Sequence, residues 1–421
     1  MKGLDPTRRV LPNGLTVLAK ETRTTPAITI YAGFHAGTLY DPIGCAGVAH
    51  FVSKTIDRGT TSRTAEQIAE ELENRGVSLS VALNRHAMWL VCTCLSEDFE
   101  QVLAIVGDVA MRPVFPESEV EMRRSEIVTL LRQDQDNPAS VAMEALMRML
   151  YGESHPYGRP MRGTLDAAAT ISARDLQQFH QRRFAPQIMS LALVGDLDPQ
   201  RAVDVTTAVF GEWPSTAATV AELPPVVPAA ERRTQVISMM NKAQADVAYG
   251  FTSIRRLDPR YHAYSLMNNI LGQYAIGGRL GDSIRERQGM AYYTFSSLDA
   301  SFGPGPLIVR AGVSPANVER AVASIDAELA KLAAEGPTVR EVVESKQYLI
   351  GSMPRTLETN AGIATFLQTA ELFGLGLDYD VRLPALISDV TREQVHEAAR
   401  TVLDPSRATV VVAGPYSGSL Q

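Results

Sequence analysis

One constant spacing constrains the fold of this chain more than any other feature of its sequence. Three landmarks recur with an offset of 219 positions: the start of a helix, a proline after that helix, and the glycine that ends an apolar strand. The pairs are Ser172 and Thr391, Pro186 and Pro405, and Gly195 and Gly414. A single offset shared by three landmarks indicates that the chain holds two copies of one domain.

Both copies of the helix begin with the same capping pattern. Ser172 is followed three positions later by Asp175, and Thr391 by Gln394. In a capping box the hydroxyl accepts a backbone N–H of the first turn, and the side chain three residues on reaches back to the cap. The pattern therefore predicts a helix start at each site.

A proline-rich stretch separates the two copies. Its prolines lie among Ala, Ser, Thr and Val, and because proline forbids a regular helix we expect an extended linker. The prolines are Pro214, Pro224, Pro225 and Pro228. The predicted organisation is an N-terminal domain over 1–212, a linker over 213–233 and a C-terminal domain over 234–421.

Strands and amphipathic helices are interspersed in both halves. Alternation and β-branching predict strands over 15–18, 28–33, 88–95, 189–194, 236–240, 246–251, 290–298, 306–313 and 409–413. Helical periodicity predicts helices over 65–74, 97–111, 118–135, 139–151, 317–335 and 339–351. Each half is therefore predicted to be a sheet covered by helices, of the α+β or mixed α/β type.

Composition and charge exclude several classes of protein. Of the 421 residues, 45% are hydrophobic and 21% charged, as is usual in folded proteins. The net charge is −7 and the basic residues form only short clusters, so we expect no nucleic-acid partner. No run of 18 apolar residues and no signal-like start is present, so we expect no membrane association. The expected location is cytoplasmic, or periplasmic if a signal was removed before this numbering begins.

The segment 44–59 holds the residues at which catalytic chemistry would be sought. It reads GCAGVAHFVSKTIDRG, follows a helical period and is expected to form a helix that closes on Gly59. On such a helix His50, Ser53 and Lys54 share one face, because they are spaced by three and four residues.

Several motifs follow one another in a specific order along the chain. They are LPNGLTVL, the AHF helix that ends in RGT, YGESHPYGRPMRGT, ALVGD and, in the second half, IRERQGMAY. In this order they resemble the insulinase-type and mitochondrial-processing-type zinc peptidases, over nearly the whole chain. The resemblance implies an α+β fold of two homologous domains, each with a mixed, mainly antiparallel β-sheet covered by α-helices, the processing-peptidase-like metallohydrolase fold.

The metal motif of the resembling peptidases is degenerate in this chain. That motif is H-x-x-E-H, in which two His bind zinc and the Glu activates a water. Here His50 matches the first ligand, but Ser53 replaces the general base and Lys54 the second ligand. The family's third ligand, a Glu on a later helix, corresponds to Leu130, although Glu126 could take that place with a gap. Because catalytic zinc needs three protein ligands, we expect neither zinc nor another cofactor in this chain.

A second motif of the resembling peptidases is retained. Arg285 lies in the last turn of a helix predicted to end near Gly289, and Tyr292 lies seven residues further on. Alternation along the strand that follows predicts that Tyr292 shares a face with Thr294 and Ser296. The intervening turn can then bring the guanidinium and the phenol to one side.

The resemblance implies a role for this Arg and Tyr pair in binding substrate. In the resembling peptidases, an Arg and a Tyr at this spacing hold the substrate carbonyl and help to stabilise the oxyanion. Both side chains are donors that suit developing negative charge. The structural alternative is that Arg285 pairs with Asp282 or Glu286 and that Tyr292 packs in its sheet.

Loss of the metal motif beside a retained Arg and Tyr predicts a subunit rather than a complete enzyme. The resembling peptidases contain four such domains, in one chain or in two chains of two domains. We expect a non-catalytic subunit of a heterodimeric zinc metallopeptidase, which supplies Arg285 and Tyr292 to a homologous zinc-binding partner that cleaves peptides. The alternatives are a structural or binding scaffold, like the core subunits of a respiratory complex, and an enzyme that uses Ser53 and Lys54 as nucleophile and base.

Overall fold

The computed structural model describes residues 3–216, 219–220, 222–273 and 278–419, so residues 217, 218 and 221 of the predicted linker lie outside it. The strands in these ranges are β1 (Thr7–Val10), β2 (Thr16–Glu21), β3 (Ala27–Phe34), β4 (Ser80–Leu83), β5 (Met88–Leu95), β6 (Met189–Gly195), β7 (Arg233–Ser238), β8 (Ala245–Thr252), β9 (Ala291–Leu298), β10 (Pro306–Val313) and β11 (Thr409–Gly414).

The α-helices are α1 (Val48–Thr55), α2 (Ala65–Glu73), α3 (Phe99–Met111), α4 (Glu117–Gln135), α5 (Pro138–Tyr151), α6 (Leu165–Thr170), α7 (Ala173–Arg183), α8 (Pro199–Phe210), α9 (Tyr261–Asn268), α10 (Val318–Glu335), α11 (Val339–Thr356), α12 (Asn360–Leu372), α13 (Tyr379–Ser388) and α14 (Arg392–Val402). Of the helices that the structure describes, none has both the length and the apolar composition needed to cross a bilayer.

The strands form two sheets of matching design. The first sheet has the order β1-β2-β6-β3-β5-β4, and the second has the order β7-β11-β8-β10-β9. Each contains one parallel pair, β2 with β6 and β7 with β11, while the other pairs are antiparallel. The predicted α+β fold with two mixed, mainly antiparallel sheets is confirmed.

The two predicted capping boxes are present. The hydroxyl of Ser172 accepts the backbone N–H of Asp175, whose carboxylate accepts the backbone N–H of Ser172, at the start of α7. Thr391 and Gln394 form the same pair of bonds at the start of α14. The duplicated sequence pattern therefore produces the same helix start in both halves.

The two compact units do not follow the order of the chain. The first unit combines residues up to Leu131 with Pro160–Glu222 and Met353–Val381, and the second combines Arg132–Arg159, Leu223–Ser352 and Arg382–Gln421. Each unit thus contains a segment from the other half of the sequence. These segments carry α12 in the first unit and α5 in the second.

Helix α12 covers one face of the first sheet. Its apolar residues Ile363, Ala364 and Leu367 pack in one buried cluster with Leu18, Ala192 and Val194 of β2 and β6. Beside this cluster, the buried Gln368 amide donates to the backbone carbonyls of Tyr31 (2.6 Å) and Ser190 (3.0 Å). These contacts supply the first sheet with a cover that the N-terminal half of the sequence does not provide.

Helix α5 covers the equivalent face of the second sheet. The buried cluster here joins Ala142, Ala145, Leu146 and Leu150 of the helix with Ala248, Ile308, Val411 and Ala413 of the strands. The opposite face of each sheet lies under the other helices of its own unit, which include α1, α3, α7 and α8 on the first sheet and α9, α10 and α14 on the second. Each sheet is therefore buried on both faces.

Cutting the chain between Glu222 and Leu223 should separate each sheet from one covering helix. Fragment 1–222 alone should expose the apolar face that α12 covers, bind a hydrophobic dye and aggregate, whereas co-expression with 223–421 should yield a soluble pair. Soluble yield, dye fluorescence and size-exclusion chromatography measure the outcome, with the intact chain as control. A cooperatively folded, monomeric fragment 1–222 would contradict this expectation.

In the intact chain, Leu367→Ala should lower the free energy of unfolding by about 2–5 kcal/mol.

Candidate functional site

Helix α1 starts at a buried carboxylate. Gly47 precedes the helix with a φ of 103°, a left-handed conformation that favours glycine. The two carboxylate oxygens of Asp41 accept the backbone N–H groups of Gly47 (2.7 Å) and Ala49 (2.8 Å). These amides have no partner within the helix, so the buried carboxylate accepts their hydrogen bonds. Its negative charge also interacts favourably with the positive end of the helix dipole.

The helix is shorter than predicted. It ends at Thr55, where Ile56 is the C-cap, and the expectation that it closes on Gly59 is wrong. Gly59 has a φ of 133° and forms an isolated β-bridge with Thr64. The glycine therefore lies in the turn that leads into α2 and not at the end of α1.

The turn after α1 is anchored on one buried carboxylate of α3. The Asp108 carboxylate accepts the Ser62 hydroxyl at 2.6 Å and the Arg63 guanidinium at 2.8 Å, and it also accepts the Thr60 hydroxyl. The Arg112 guanidinium donates to its other oxygen at 2.8 Å. Burial alone raises the pKa of Asp108, but these bonds hold the pKa below its ordinary value.

His50, Ser53 and Lys54 do not share one environment. His50 and Ser53 are buried, whereas Lys54 is exposed. The Ser53 hydroxyl donates to the backbone carbonyl of His50 at 2.7 Å, within the helix itself. A buried hydroxyl already bonded to its own helix and an exposed ammonium do not form a nucleophile and base pair, so the geometry does not support that alternative.

On α4, the two candidates for the third ligand differ in chemistry. Leu130 is 37% exposed and has no donor atom. Glu126 binds the Arg123 guanidinium through both oxygens, at 2.6 and 2.8 Å. The Arg123 hydrogen bonds, with the positive charges of Arg58 and Lys54, hold the pKa of Glu126 below its ordinary value. The carboxylate is therefore surrounded by cations of the protein.

These residues do not suit a zinc ion. His50 offers one imidazole, but Lys54 repels a cation, Leu130 offers no lone pair, and Glu126 is neutralised by Arg123. Over the ranges that the structure describes, no three His, Cys, Asp or Glu side chains gather into a group able to hold a metal ion. The positions that correspond to the metal motif thus contain one ligand where zinc catalysis needs three.

Arg285 lies in a short π-helical segment, Gly281–Arg287. Its guanidinium donates to one Glu286 oxygen from Nε (2.9 Å) and Nη2 (2.7 Å), and its side chain is 31% exposed. The segment ends as predicted near Gly289, which has a φ of 60°, and the N–H of Met290 then donates to the carbonyl of Ile284. The pairing with Glu286 is the one expected under the structural alternative.

Tyr292 is the extra residue of a β-bulge. On β10, Gly312 is opposite Tyr293 and Val313 is opposite Ala291, so Tyr292 has no partner in the register. The side chain of Tyr292 is 67% exposed. Bulges of this kind redirect a side chain relative to the alternation of its strand.

The bulge overturns the predicted alternation. Thr294 and Ser296 are each only 2% exposed, and Ala291 is buried as well, so Tyr292 does not share their face. Two consecutive tyrosines, Tyr292 and Tyr293, lie between the buried Ala291 and the buried Thr294, and neither tyrosine is itself buried. The exposure of Tyr292 therefore depends on a register change that alternation alone does not reveal.

A polar network beside Tyr292 was not predicted. The buried carboxylate of Asp246 on β8 accepts the Tyr293 hydroxyl and the Gln244 amide (3.1 Å). The Arg310 guanidinium lies 3.9 Å from this carboxylate and donates to the Tyr293 hydroxyl at 3.4 Å. One signal was present in the sequence, because an acid within the apolar run ADVAYGF is buried only when it is paired.

The fold and these motifs place the chain in a known class of peptidase. The family description "Insulinase (Peptidase family M16)" matches residues 16–165, and "Peptidase M16 inactive domain" matches residues 170–349. The chain therefore belongs to peptidase family M16, and the resemblance to insulinase-type and processing-type peptidases is confirmed.

Individual relatives are similar to this chain in sequence, and solved structures are similar to it in fold. An uncharacterized zinc protease of Mycobacterium leprae is 26% identical over 97% of this chain and 92% of its own, and one of Streptomyces coelicolor is 25% identical over 97% and 89%. A peptidase M16 inactive domain from Pseudomonas fluorescens has a TM-score of 0.92 at 25% identity and covers 99% of both chains. The periplasmic protease PqqL from Escherichia coli has a TM-score of 0.79 at 19% identity, with 97% of this chain but 47% of PqqL covered.

Replacing Asp108 by Asn should lower the free energy of unfolding by roughly 1.5–3 kcal/mol at pH 7, because the hydrogen bonds from Arg63 and Arg112 lose their charged acceptor. In the wild type this stabilisation is present above the ordinary carboxyl pKa, about 4, and is lost as pH falls through the lowered pKa of the folded state. Urea unfolding at pH 7 and pH 3 measures both effects. The exposed control Asp204→Asn should change stability by less than about 0.5 kcal/mol. Equal losses for the two variants would contradict the anchoring role.

Rebuilding the metal positions should restore zinc binding only when all of them are restored. The variant Ser53→Glu/Lys54→His should bind zinc weakly, and adding Leu130→Glu should give stoichiometric binding, because three protein ligands are then available. Isothermal titration calorimetry with zinc measures the difference. The matched control adds Thr129→Glu in place of Leu130→Glu, which puts the carboxylate on another face of α4. Tight binding by Lys54→His alone would show instead that Glu126 supplies the third ligand.

Proposed function

We propose that this protein is the non-catalytic subunit of a heterodimeric zinc metallopeptidase of family M16. Its partner is a homologous subunit that carries the intact zinc motif. This chain closes the chamber in which peptides are cleaved and supplies Arg285 and Tyr292 to the partner's active site. It has no peptidase activity and no cofactor of its own.

The observation that carries this proposal is an asymmetry between two sets of residues. The metal positions have lost their chemistry, since Ser53 is bonded within its helix and Leu130 is apolar. Tyr292, by contrast, is largely exposed although tyrosine rings in sheets are usually packed. An exposed ring held at a bulge is unnecessary for the stability of its own sheet, and it suits contact with another molecule.

The chemistry of the two side chains fits the stabilisation of an oxyanion. The Arg285 guanidinium carries several N–H donors, and the Tyr292 hydroxyl can donate one hydrogen bond. Both can donate to the carbonyl oxygen of a peptide bond as negative charge develops on it. Arg285 must first leave Glu286, and an exposed ion pair of this kind contributes only about 0–1 kcal/mol. The exchange of Glu286 for substrate therefore costs little.

The architecture of a related protease supports the pairing of two such chains. This fold covers 47% of the PqqL chain, which therefore has room for a second copy of similar size. A subunit with two units, paired with a homologous chain, would reproduce that content from two polypeptides. The substrates are extended peptides, held by main-chain hydrogen bonds along a sheet edge. The complex works in the cytoplasm, or in the periplasm, where PqqL is found.

A structural or binding scaffold without a peptidase role is the second candidate. The observation in its favour is the Arg285–Glu286 pair, which gives the guanidinium a partner within the chain. In a scaffold, Arg285 and Tyr292 would have no effect on any turnover. The two candidates therefore differ in one measurable property.

A mixture of this subunit with its zinc-binding partner should cleave a quenched fluorescent peptide, and this chain alone with equimolar zinc should not. Tyr292→Phe or Arg285→Ala should lower kcat of the mixture by roughly 100-fold or more, because an oxyanion donor is lost. Arg287→Ala is the matched control, since Arg287 lies in the same π-helical segment, is 67% exposed and pairs with Asp282. Unchanged turnover in both test variants would favour the scaffold, and activity of the isolated chain would overturn the proposal.

A further inference from the structure

Three residues in one row across the second sheet hold the strand beside Tyr292. Gly312 on β10 is the register partner of Asp246 on β8 and of Tyr293 on β9. The Tyr293 hydroxyl nevertheless reaches past Gly312 and donates to the Asp246 carboxylate, two strands away. We call Asp246, Gly312 and Tyr293 the cross-strand row.

Gly312 makes this reach possible because it has no side chain. A Cβ atom at this position would come within 2.5 Å of Cε1 of Tyr293. The tyrosine ring therefore occupies the space that a side chain on the central strand would fill. Any larger residue at position 312 displaces the ring and separates its hydroxyl from Asp246.

The carboxylate at the far end of the row is itself held in place. Asp246 is 3% exposed and also accepts the Gln244 amide, while Arg310 lies near it and near the Tyr293 hydroxyl. Burial and the neighbouring Asp246 carboxylate raise the pKa of Tyr293, so the phenol remains a donor throughout the physiological range. A hydrogen bond from a hydroxyl to a carboxylate is charge-assisted, and such bonds are stronger than neutral ones.

The row ends at the residue next to Tyr292. On the other side of the bulge, Ala291 is buried and paired with Val313. Tyr292 is therefore the one residue without a register partner between two fixed neighbours. Its backbone position is set by contacts that its own exposed side chain does not make.

We infer that Asp246, Gly312 and Tyr293 are positioning residues for Tyr292, which fix the bulge so that the phenol is presented in one place to the peptide carbonyl. This inference rests on the proposed function, because it assigns the row to the use of Tyr292 in the heterodimer. A shift of about 1 Å in a group that contacts the reacting atoms can reduce turnover by about 100-fold. The row prevents such a shift.

The test is a double-mutant cycle in the complex of this subunit with its zinc-binding partner. Tyr293→Phe should lower kcat roughly 10-fold to 100-fold with KM within about twofold of the wild type, because only the position of the Tyr292 phenol changes. In the Tyr292→Phe background, Tyr293→Phe should cause no further loss, because it acts through Tyr292. Independent, multiplying losses would overturn the inference.

The control must remove an equivalent bond elsewhere in the same sheet. Tyr249→Phe does so, because the buried Tyr249 on β8 donates to Asp326 at 2.8 Å. It should cost stability without changing kcat. If Tyr292→Phe lowers kcat but Tyr293→Phe does not, the positioning role is wrong while the proposed function stands.

A second measurement decides the positioning role without any activity. The isolated chain is labelled with 3-fluorotyrosine, and its Tyr292 ¹⁹F resonance is identified by its loss in Tyr292→Phe. In Tyr293→Phe and Gly312→Ala this resonance should shift or broaden, whereas in Tyr249→Phe it should not change. An unchanged resonance in all three variants would overturn the inference, even if the heterodimer proved inactive and the proposed function failed.

Discussion

Burial of both faces of each sheet is the constraint on which the rest of this structure depends. A sheet with two apolar faces needs a helix layer on each, and each half of the sequence lacks one of the helices that its sheet requires. Helix α12 fills that place on the first sheet and α5 on the second. Neither half of the sequence therefore has a complete core of its own. Both halves of the sequence must therefore be present for each sheet to have its two covers.

Much of the fold could be predicted from the sequence, because it depends on local signals. The two capping boxes and the apolar central strands follow from short patterns, and the 219-residue offset relates the halves. Strands β1 and β4 were missed because both lie at sheet edges and neither has a fully buried residue. The sequence did not predict that α5 and α12 each cover the sheet of the other half. The apolar face of a helix shows that the helix is packed, but not which sheet it packs on.

The candidate site, like the fold, could be predicted only in part from the sequence. The identities of Ser53, Lys54 and Leu130 were enough to predict an incomplete zinc motif, because a ligand is defined by its side chain. The exposure of Tyr292 and the bond between Tyr293 and Asp246 were not predictable, because a bulge is a relation between two strands. Strict alternation predicted that Tyr292 shares a face of the strand with Thr294 and Ser296. This prediction is wrong, because one unpaired residue in the bulge changes the alternation.

The start of helix α1 shows that the shape of this helix is fixed by the protein's own side chains. Asp41 satisfies the first amides of the helix with its own carboxylate, and Val48, Phe51 and Val52 are completely buried. The helix therefore needs no ion to hold its shape. The side chain at position 54 is exposed, so its identity does not affect these contacts. The residues that fix the backbone of this helix are therefore not the residues that a metal ion would require as ligands.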